Sequence, residues 1–100
     1  MCGRFAVGDP DPEAWAAWLG APLPEERPAP SWNVAPTQPA MILARRRDGT
    51  PRVGVARWGL VPHWWRKPLS EMKAATFNAR SEEAHEKPMF RTAWERRRCL

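Results

Sequence analysis

Short apolar runs, each bounded by polar residues or proline, predict a chain of small secondary-structure elements. Residues 9–19 predict a helix, because Trp15, Trp18 and Leu19 recur at the i, i+3, i+4 spacing of one helix face. Asp11 precedes the first residue of this apolar face by four positions and is suited to be the N-cap of the helix. We expect the apolar face of this helix, with both tryptophans, to pack into the hydrophobic core.

Two apolar stretches in the middle of the chain predict a β-hairpin. Residues 40–46 and 52–58 have the length and composition of strands, and Asp48-Gly49 between them is a turn signal. The preceding segment, residues 21–39, is rich in proline and predicts a loop. The pattern therefore indicates one hairpin after a long irregular connection.

The second half of the sequence predicts loops and two short helices. Residues 59–65 indicate a loop, and residues 81–85 a short helix that Pro88 ends. Residues 94–98 are expected to be helical, with the chain turning extended at 98–100. A chain of 100 residues allows one small domain and no more.

The charge of the chain is unevenly distributed, which narrows the classes of partner. The net charge is +5, yet residues 1–50 carry a net −1 and residues 51–100 a net +6. The basic half also holds Trp58, Trp64, Trp65 and Trp94. Cations for phosphates and ring faces for bases suit a single-stranded nucleic acid. The alternative is a solvated basic surface with tryptophans in the core.

Membrane, secretory and metal-binding classes find little support in the sequence. No apolar run approaches the length of a membrane helix, and the first residues lack the apolar stretch of a signal peptide. We expect a cytoplasmic, nucleoid-associated monomer with no membrane partner. Cys2, His63, His85 and Cys99 do not stand at zinc-ligand spacing, so we expect no metal and no cofactor.

Cys2 offers the most distinctive chemistry. Removal of Met1 would leave a free α-amine beside the thiol, a 1,2-aminothiol. Because such an amine has a pKa of about 7.7–8.0, a useful fraction is neutral and nucleophilic near pH 7. It can form an imine with an aldehyde, on which the thiolate closes a thiazolidine ring. Alternatively, Cys2 could attack an amide as an N-terminal nucleophile, with its own amine as the base.

Four segments, in this order and at these separations, carry a resemblance to a known family. They are Met1-Cys2-Gly3-Arg4-Phe5, Asn33-Val34-Ala35-Pro36-Thr37, Trp58-Gly59-Leu60-Val61-Pro62-His63-Trp64-Trp65 and Asn78-Ala79-Arg80-Ser81-Glu82. Together they resemble the SOS response-associated peptidase (SRAP) family, the abasic-site processing proteins. The resemblance implies an α+β fold, with a mixed barrel-like β-structure flanked by short helices.

The function implied by this resemblance is covalent protection of damaged DNA. Such a protein binds single-stranded DNA at an abasic site, and its N-terminal Cys2 forms a thiazolidine with the ring-opened sugar aldehyde. The family is also described as an autopeptidase, a hydrolase activity, because exposing Cys2 requires loss of Met1. Lyase-like chemistry on the abasic sugar belongs to the same description.

The resemblance also assigns roles to individual residues. Cys2 is expected to be the covalent nucleophile, and Asn78 to hold Cys2 or the opened sugar by hydrogen bonds. The expected DNA-binding residues are Arg4 and Arg80 for phosphates, Asn33 in the flanking loop, and Pro36, Trp64 and Trp65 against the neighbouring bases.

One departure from the family pattern bears on activity. Family members continue with a glutamate and, much later, a histidine that assist acid–base chemistry, and neither segment stands in these 100 residues. We therefore expect residues 1–100 to be the N-terminal half of an SRAP domain, truncated relative to the whole. Two other functions stay open, a non-catalytic DNA-binding fragment and an N-terminal-cysteine amidohydrolase.

Overall fold

A computed structural model describes residues 3–8 and 11–98 of the chain. These residues form two compact units, one up to Trp58 and the other from Gly59 onward. The prediction for Cys2 lies outside the described residues, as do those for residues 9 and 10 of the expected helix and for the extended end at 99–100.

Five elements build the first unit. They are β1 (Phe5–Val7), α1 (Pro12–Leu19), β2 (Ser31–Val34), β3 (Pro39–Arg45) and β4 (Pro51–Arg57). The strands form two antiparallel two-stranded sheets, β1 with β2 and β3 with β4. Helices and antiparallel sheets together confirm the α+β class.

Helix α1 ends at the predicted residue, Leu19, and begins at Pro12, directly after its cap Asp11, instead of within the predicted start at 9–11. The Asp11 side chain accepts a hydrogen bond from the Glu13 backbone N–H at 3.1 Å, which satisfies one of the free donors of the first turn. Gly20 ends the helix in the left-handed conformation at φ 68°, and its N–H donates to the Ala16 carbonyl. Glycine adopts this conformation at little steric cost.

The expected burial of the α1 tryptophans is wrong. Trp18 is 78% exposed and Trp15 40% exposed, while Leu19 is half-buried. The two indoles pack against each other edge to face, with ring centroids 5.7 Å apart. The helix is short and none of its residues is buried, so the two rings meet each other instead of a core.

The predicted hairpin is confirmed to within one residue at each end. Strands β3 and β4 pair from Pro39 opposite Arg57 to Arg45 opposite Pro51. The predicted loop at 21–39 is wrong over part of its length, because Ser31–Val34 forms β2 and pairs with β1. This pairing joins segments far apart in sequence, which a local pattern does not report.

The turn of the hairpin depends on one glycine. Gly49 lies at φ 86°, and its N–H donates to the Arg46 carbonyl at 3.0 Å. A left-handed residue closing a three-residue loop is a common hairpin geometry. Asp48 accepts hydrogen bonds from both the backbone N–H and the hydroxyl of Thr50, which fixes the other side of the turn.

Gly49→Ala is expected to lower the free energy of unfolding by about 1 kcal/mol, because a Cβ disfavours the left-handed conformation. The added methyl meets no atom within 4 Å, so the loss reports the backbone alone. Gly3→Ala is the matched control, since its Cβ also meets nothing and Gly3 does not have a left-handed φ. Urea denaturation of the three proteins checks this, and equal stabilities would show that the turn tolerates alanine.

The second unit contains loops, a 3-10 turn at Leu69–Glu71 and two short helices, α2 (Ser81–Ala84) and α3 (Arg91–Arg96). Helix α2 begins at the predicted residue. Helix α3 lies earlier than the predicted 94–98, because its first turn forms on the carbonyls of Lys87 and Phe90. These bonds satisfy backbone N–H groups at the start of the helix, and the spacing of the apolar residues does not show where such bonds form.

The core of each unit is small. Ala21, Val34 and Val53 are buried in the first unit and Ala84 in the second, together with the hydroxyl residue Thr76. Among the described residues, no large side chain is fully buried. Within the same part of the chain, no helix is long and apolar enough to cross a membrane.

Candidate nucleic-acid interface

Arg4 and Asn33, two of the predicted DNA-binding residues, meet in the first unit. Antiparallel pairing of β1 with β2 sets Phe5 opposite Val34. Because side chains alternate along a strand, Arg4 and Asn33 both lie on the other face, as diagonal neighbours. The Arg4 guanidinium donates through Nη1 to Asn33 Oδ1 at 3.1 Å, and both side chains are exposed. Among the described residues the Arg4 side chain makes no second hydrogen bond, so its other guanidinium donors can bind a phosphate.

Pro36 lies in a tight turn directly after this pair. The Gln38 N–H donates to the Ala35 carbonyl at 3.2 Å, and the Gln38 side chain accepts from the Ala35 N–H at 2.8 Å. Thr37 occupies the turn at φ 76°, a strained conformation for a β-branched residue. Strain of this kind persists only where neighbouring bonds hold it, and Thr37 N–H donates to the Trp58 carbonyl at 2.8 Å.

The end of the β3–β4 hairpin supports the same region. Trp58 N–H donates to the Gln38 carbonyl at 2.9 Å, and its indole meets the Phe5 ring edge to face at 4.9 Å. Phe5 directly follows Arg4. The Arg4–Asn33 pair and the Pro36 turn are therefore held by backbone bonds and an aromatic contact within one unit.

Asn78 and Arg80 meet in the second unit, at a cavity of about 390 Å³. Its lining also includes Glu83, Lys87 and Phe90. Arg80 stands at the start of α2 and is exposed, and Asn78 is half-buried. The cavity therefore combines a guanidinium with an amide, groups that can bind a phosphate and the oxygens of a sugar.

Glu83 and Lys87 form an ion pair one helical turn apart at this cavity. The hydrogen bond from Lys87, and then its charge, holds the pKa of the Glu83 carboxyl below its ordinary value, with Arg80 adding a smaller effect. Glu83 is therefore ionised at neutral pH and neutralises Lys87. Arg80 has no ion pair among the residues the structure describes, so its charge stays open to an anion.

Trp64 and Trp65 lie side by side in the second unit, with ring centroids 6.3 Å apart and planes inclined by 54°. Trp64 is 45% exposed, and its Nε1 donates to the Pro88 carbonyl at 3.4 Å. Trp65 is half-buried, and its buried Nε1 has no hydrogen-bond partner within residues 3–8 and 11–98. Trp64 therefore offers the larger open ring surface.

Sequence reasoning missed Lys87, Glu83 and Phe90 as cavity residues. The i, i+4 spacing of Glu83 and Lys87 is a readable sign of a helical ion pair, although it does not place that pair beside Asn78. Nowhere in the described ranges do three His, Cys, Asp or Glu side chains come together as a group that could hold a metal ion.

Comparison with known proteins defines the class to which these features belong. Residues 1–100 match the family described as SOS response associated peptidase (SRAP). The chain therefore belongs to the SRAP family, as its four segments predict.

Named relatives occur in bacteria and in yeast. The chain is 38% identical over 102 residues to the abasic site processing protein YoqW of Bacillus subtilis, covering 100% of this chain and 44% of that protein. It is 31% identical over 105 residues to YedK of Escherichia coli, again covering 100% of this chain and 44% of the relative. It is 39% identical over 70 residues to YMR114C of Saccharomyces cerevisiae, covering 69% of this chain and 18% of the relative.

A solved structure supports the fold. The crystal structure of a protein from Bordetella bronchiseptica matches with a TM-score of 0.67 and 28% identity, covering 93% of this chain and 43% of that one. The chain thus spans under half the length of the bacterial relatives and of this structure.

Proposed function

We propose that this protein binds single-stranded DNA at abasic sites and forms a covalent thiazolidine between Cys2 and the opened sugar. The observation that carries the proposal is membership of the SRAP family over residues 1–100, together with relatives named abasic site processing proteins in bacteria and yeast. The aminothiol that Cys2 would expose after loss of Met1 is the group suited to capture an aldehyde.

The proposed reaction conserves atoms without an added oxidant or reductant. The α-amine of Cys2 attacks the aldehyde carbon of the ring-opened sugar, and one water leaves as the imine forms. The thiolate then adds to the imine carbon while the nitrogen takes a proton, which closes the five-membered ring. The amine must be neutral to attack, and its ordinary pKa of about 7.7–8.0 supplies that form near neutral pH.

Two residues of the second unit would hold the DNA beside the reacting groups. Arg80 would bind a phosphate beside the lesion, and Asn78, at the same cavity, would hydrogen-bond to the opened sugar or to Cys2. Their placement on one cavity supports this division of roles.

The remaining predicted DNA-binding residues would contact the strand on either side. Arg4, steadied by Asn33, would bind a second phosphate. Trp64 and Trp65 would stack on bases and Pro36 would wedge against one, and a base–aromatic stack is worth about 1–3 kcal/mol.

Intact mass after incubation with abasic single-stranded DNA tests the proposal. The expected product has the mass of the protein without Met1 plus the DNA strand minus one water, and it survives heat and denaturant without a reducing agent. The same strand with an intact base at that position is the control and should give no adduct. Binding to both strands without an adduct would identify a non-catalytic DNA-binding protein instead, and release of ammonia from glutamine an amidohydrolase.

A further inference from the structure

The tip of the β3–β4 hairpin is a concentrated positive surface that the proposed site does not use. Residues 45–57 hold five arginines and a single carboxylate, Asp48. Arg45, Arg46, Arg47 and Arg52 surround the turn, and all four are exposed. We call these four residues the arginine tip.

The arginine tip keeps a net positive charge, because Asp48 is the one carboxylate of the turn and no ion pair among the described residues involves the four arginines. Asp48 accepts hydrogen bonds from the Thr50 hydroxyl at 2.7 Å and the Thr50 N–H at 2.9 Å, which hold the pKa of its carboxyl below its ordinary value. Within residues 3–8 and 11–98, no tip arginine forms an ion pair. In the same ranges, Arg45 is the tip arginine whose side chain makes a hydrogen bond, which it donates from Nη1 to the Gly49 carbonyl at 2.9 Å.

The backbone beneath the arginine tip is ordered by its own hydrogen bonds. Arg46 N–H donates to the Thr50 carbonyl at 2.9 Å, and Gly49 closes the loop in the left-handed conformation. Charges on an ordered turn lose less conformational entropy on binding than charges on a flexible tail. The tip is therefore preorganised for a ligand of fixed charge spacing.

One side of the arginine tip is concave. Arg46 and Arg52 line a cavity of about 600 Å³ in the same unit, together with Asp48, whose carboxylate is bonded to Thr50, and with residues 20–24, 50, 51 and 53. A volume of this size admits a phosphate with its sugar, and planar guanidinium groups bind phosphate oxygens in pairs. An extended polyanion fits these features better than a small neutral ligand.

The arginine tip lies at one end of the β3–β4 hairpin, and the other end of the hairpin contacts Phe5, the neighbour of Arg4. The ladder from Pro39–Arg57 to Arg45–Pro51 has six steps, which span about 20 Å at about 3.4 Å per residue. Trp58, at the base, contacts Phe5 beside Arg4. The length of the ladder therefore sets the arginine tip about 20 Å from the end of the hairpin that contacts Phe5, near the length of six stacked nucleotides at 3.4 Å per step.

We propose that the arginine tip is a second DNA-binding surface, which contacts backbone phosphates about six nucleotides from the abasic site. This inference rests on the proposed function, because it takes the Arg4–Asn33 end as the lesion end. The tip would extend the footprint along the strand without reading its sequence, since phosphate contacts position a protein but do not distinguish bases.

Salt-dependent binding to strands of two lengths tests the proposal. Both strands carry a stable abasic analogue without an aldehyde, so that only reversible binding is measured. The short strand has about three nucleotides on each side and the long strand about twelve, so that only the long strand reaches the tip. The variant is R46A/R47A, and the matched control is R96A/R97A, which removes the same charge from the other arginine run.

On the long strand, R46A/R47A is expected to make the fall of log affinity with log salt less steep by about 1.4, because each of the two lost phosphate contacts accounts for about 0.7. On the short strand its slope should equal that of the wild type. R96A/R97A should keep the wild-type difference between the two strands, and R46K/R47K should restore most of the lost slope.

Three results would overturn the proposal. They are an unchanged slope for R46A/R47A on the long strand, an equal loss in both double variants, and competition by polyglutamate as effective as that by DNA of equal charge.

Adduct formation on a short strand with a true aldehyde is measured separately. If the adduct fails while the length-dependent slope persists, the chemistry of Cys2 is wrong and the arginine tip still binds DNA.

Discussion

Replacing Cys2 with alanine is expected to abolish the heat-stable DNA adduct completely. Cys2→Ala keeps the α-amine but removes the thiol, so only an open imine can form with the sugar aldehyde. Water hydrolyses an open imine, whereas ring closure by the thiolate protects that carbon. Denaturing gel electrophoresis after heating should therefore show an adduct for the wild type and none for the variant, unless borohydride is added to trap the imine.

Cys99→Ser is the matched control for this experiment. It removes the other cysteine of the chain and leaves the aminothiol at Cys2 intact. Its adduct yield should equal that of the wild type. Equal stable yields from wild type and Cys2→Ala would contradict the thiazolidine, and a loss in Cys99→Ser alone would assign the chemistry to the other thiol.

Arg80→Ala should weaken binding to abasic single-stranded DNA about tenfold or more. A charge-assisted hydrogen bond to a phosphate is worth about 1.5–3 kcal/mol, and about 1.4 kcal/mol corresponds to a factor of ten. The slope of log affinity against log salt should also fall by about 0.7, because one counterion release is lost. Fluorescence anisotropy with a labelled strand over a salt series measures both quantities.

Two variants show whether this loss is specific to the cavity. Arg91→Ala removes the same charge from an exposed position of the same unit outside the cavity lining, and it should change affinity much less. Trp65→Ala should weaken binding without changing the slope, because stacking releases few counterions. If Arg80→Ala leaves the slope of the wild type intact, Arg80 does not bind a phosphate.

Elements with strong local signals were predictable from the sequence. Helix α1 has Asp11 before its first turn and Gly20 after its last, so its bounds follow from neighbours in the chain. The β3–β4 hairpin is set by two apolar runs and a turn with glycine at positive φ. In both cases the deciding interactions join residues a few positions apart.

Elements that depend on distant partners were not predictable in this way. Strands β1 and β2 are three and four residues long and pair across more than twenty intervening residues. The periodicity of Trp15 and Trp18 indicates a helix face but not what covers it. Trp18 is 78% exposed and Trp15 40%, because burial depends on which elements pack there.

The same distinction between local and distant interactions applies to the candidate site. The sequence alone determined the family, through four segments whose residues and order resemble SRAP, and it identified the groups available for chemistry. Only tertiary structure decided that the Arg4 guanidinium bonds to Asn33, and that Lys87 and Glu83 join Asn78 and Arg80 at one cavity. The physical reason is that reactive groups belong to residue types, whereas their distances follow from the path of the backbone. That path is set by strand pairing between distant segments for Arg4 and Asn33, and by the local fold of residues 75–90 for the cavity.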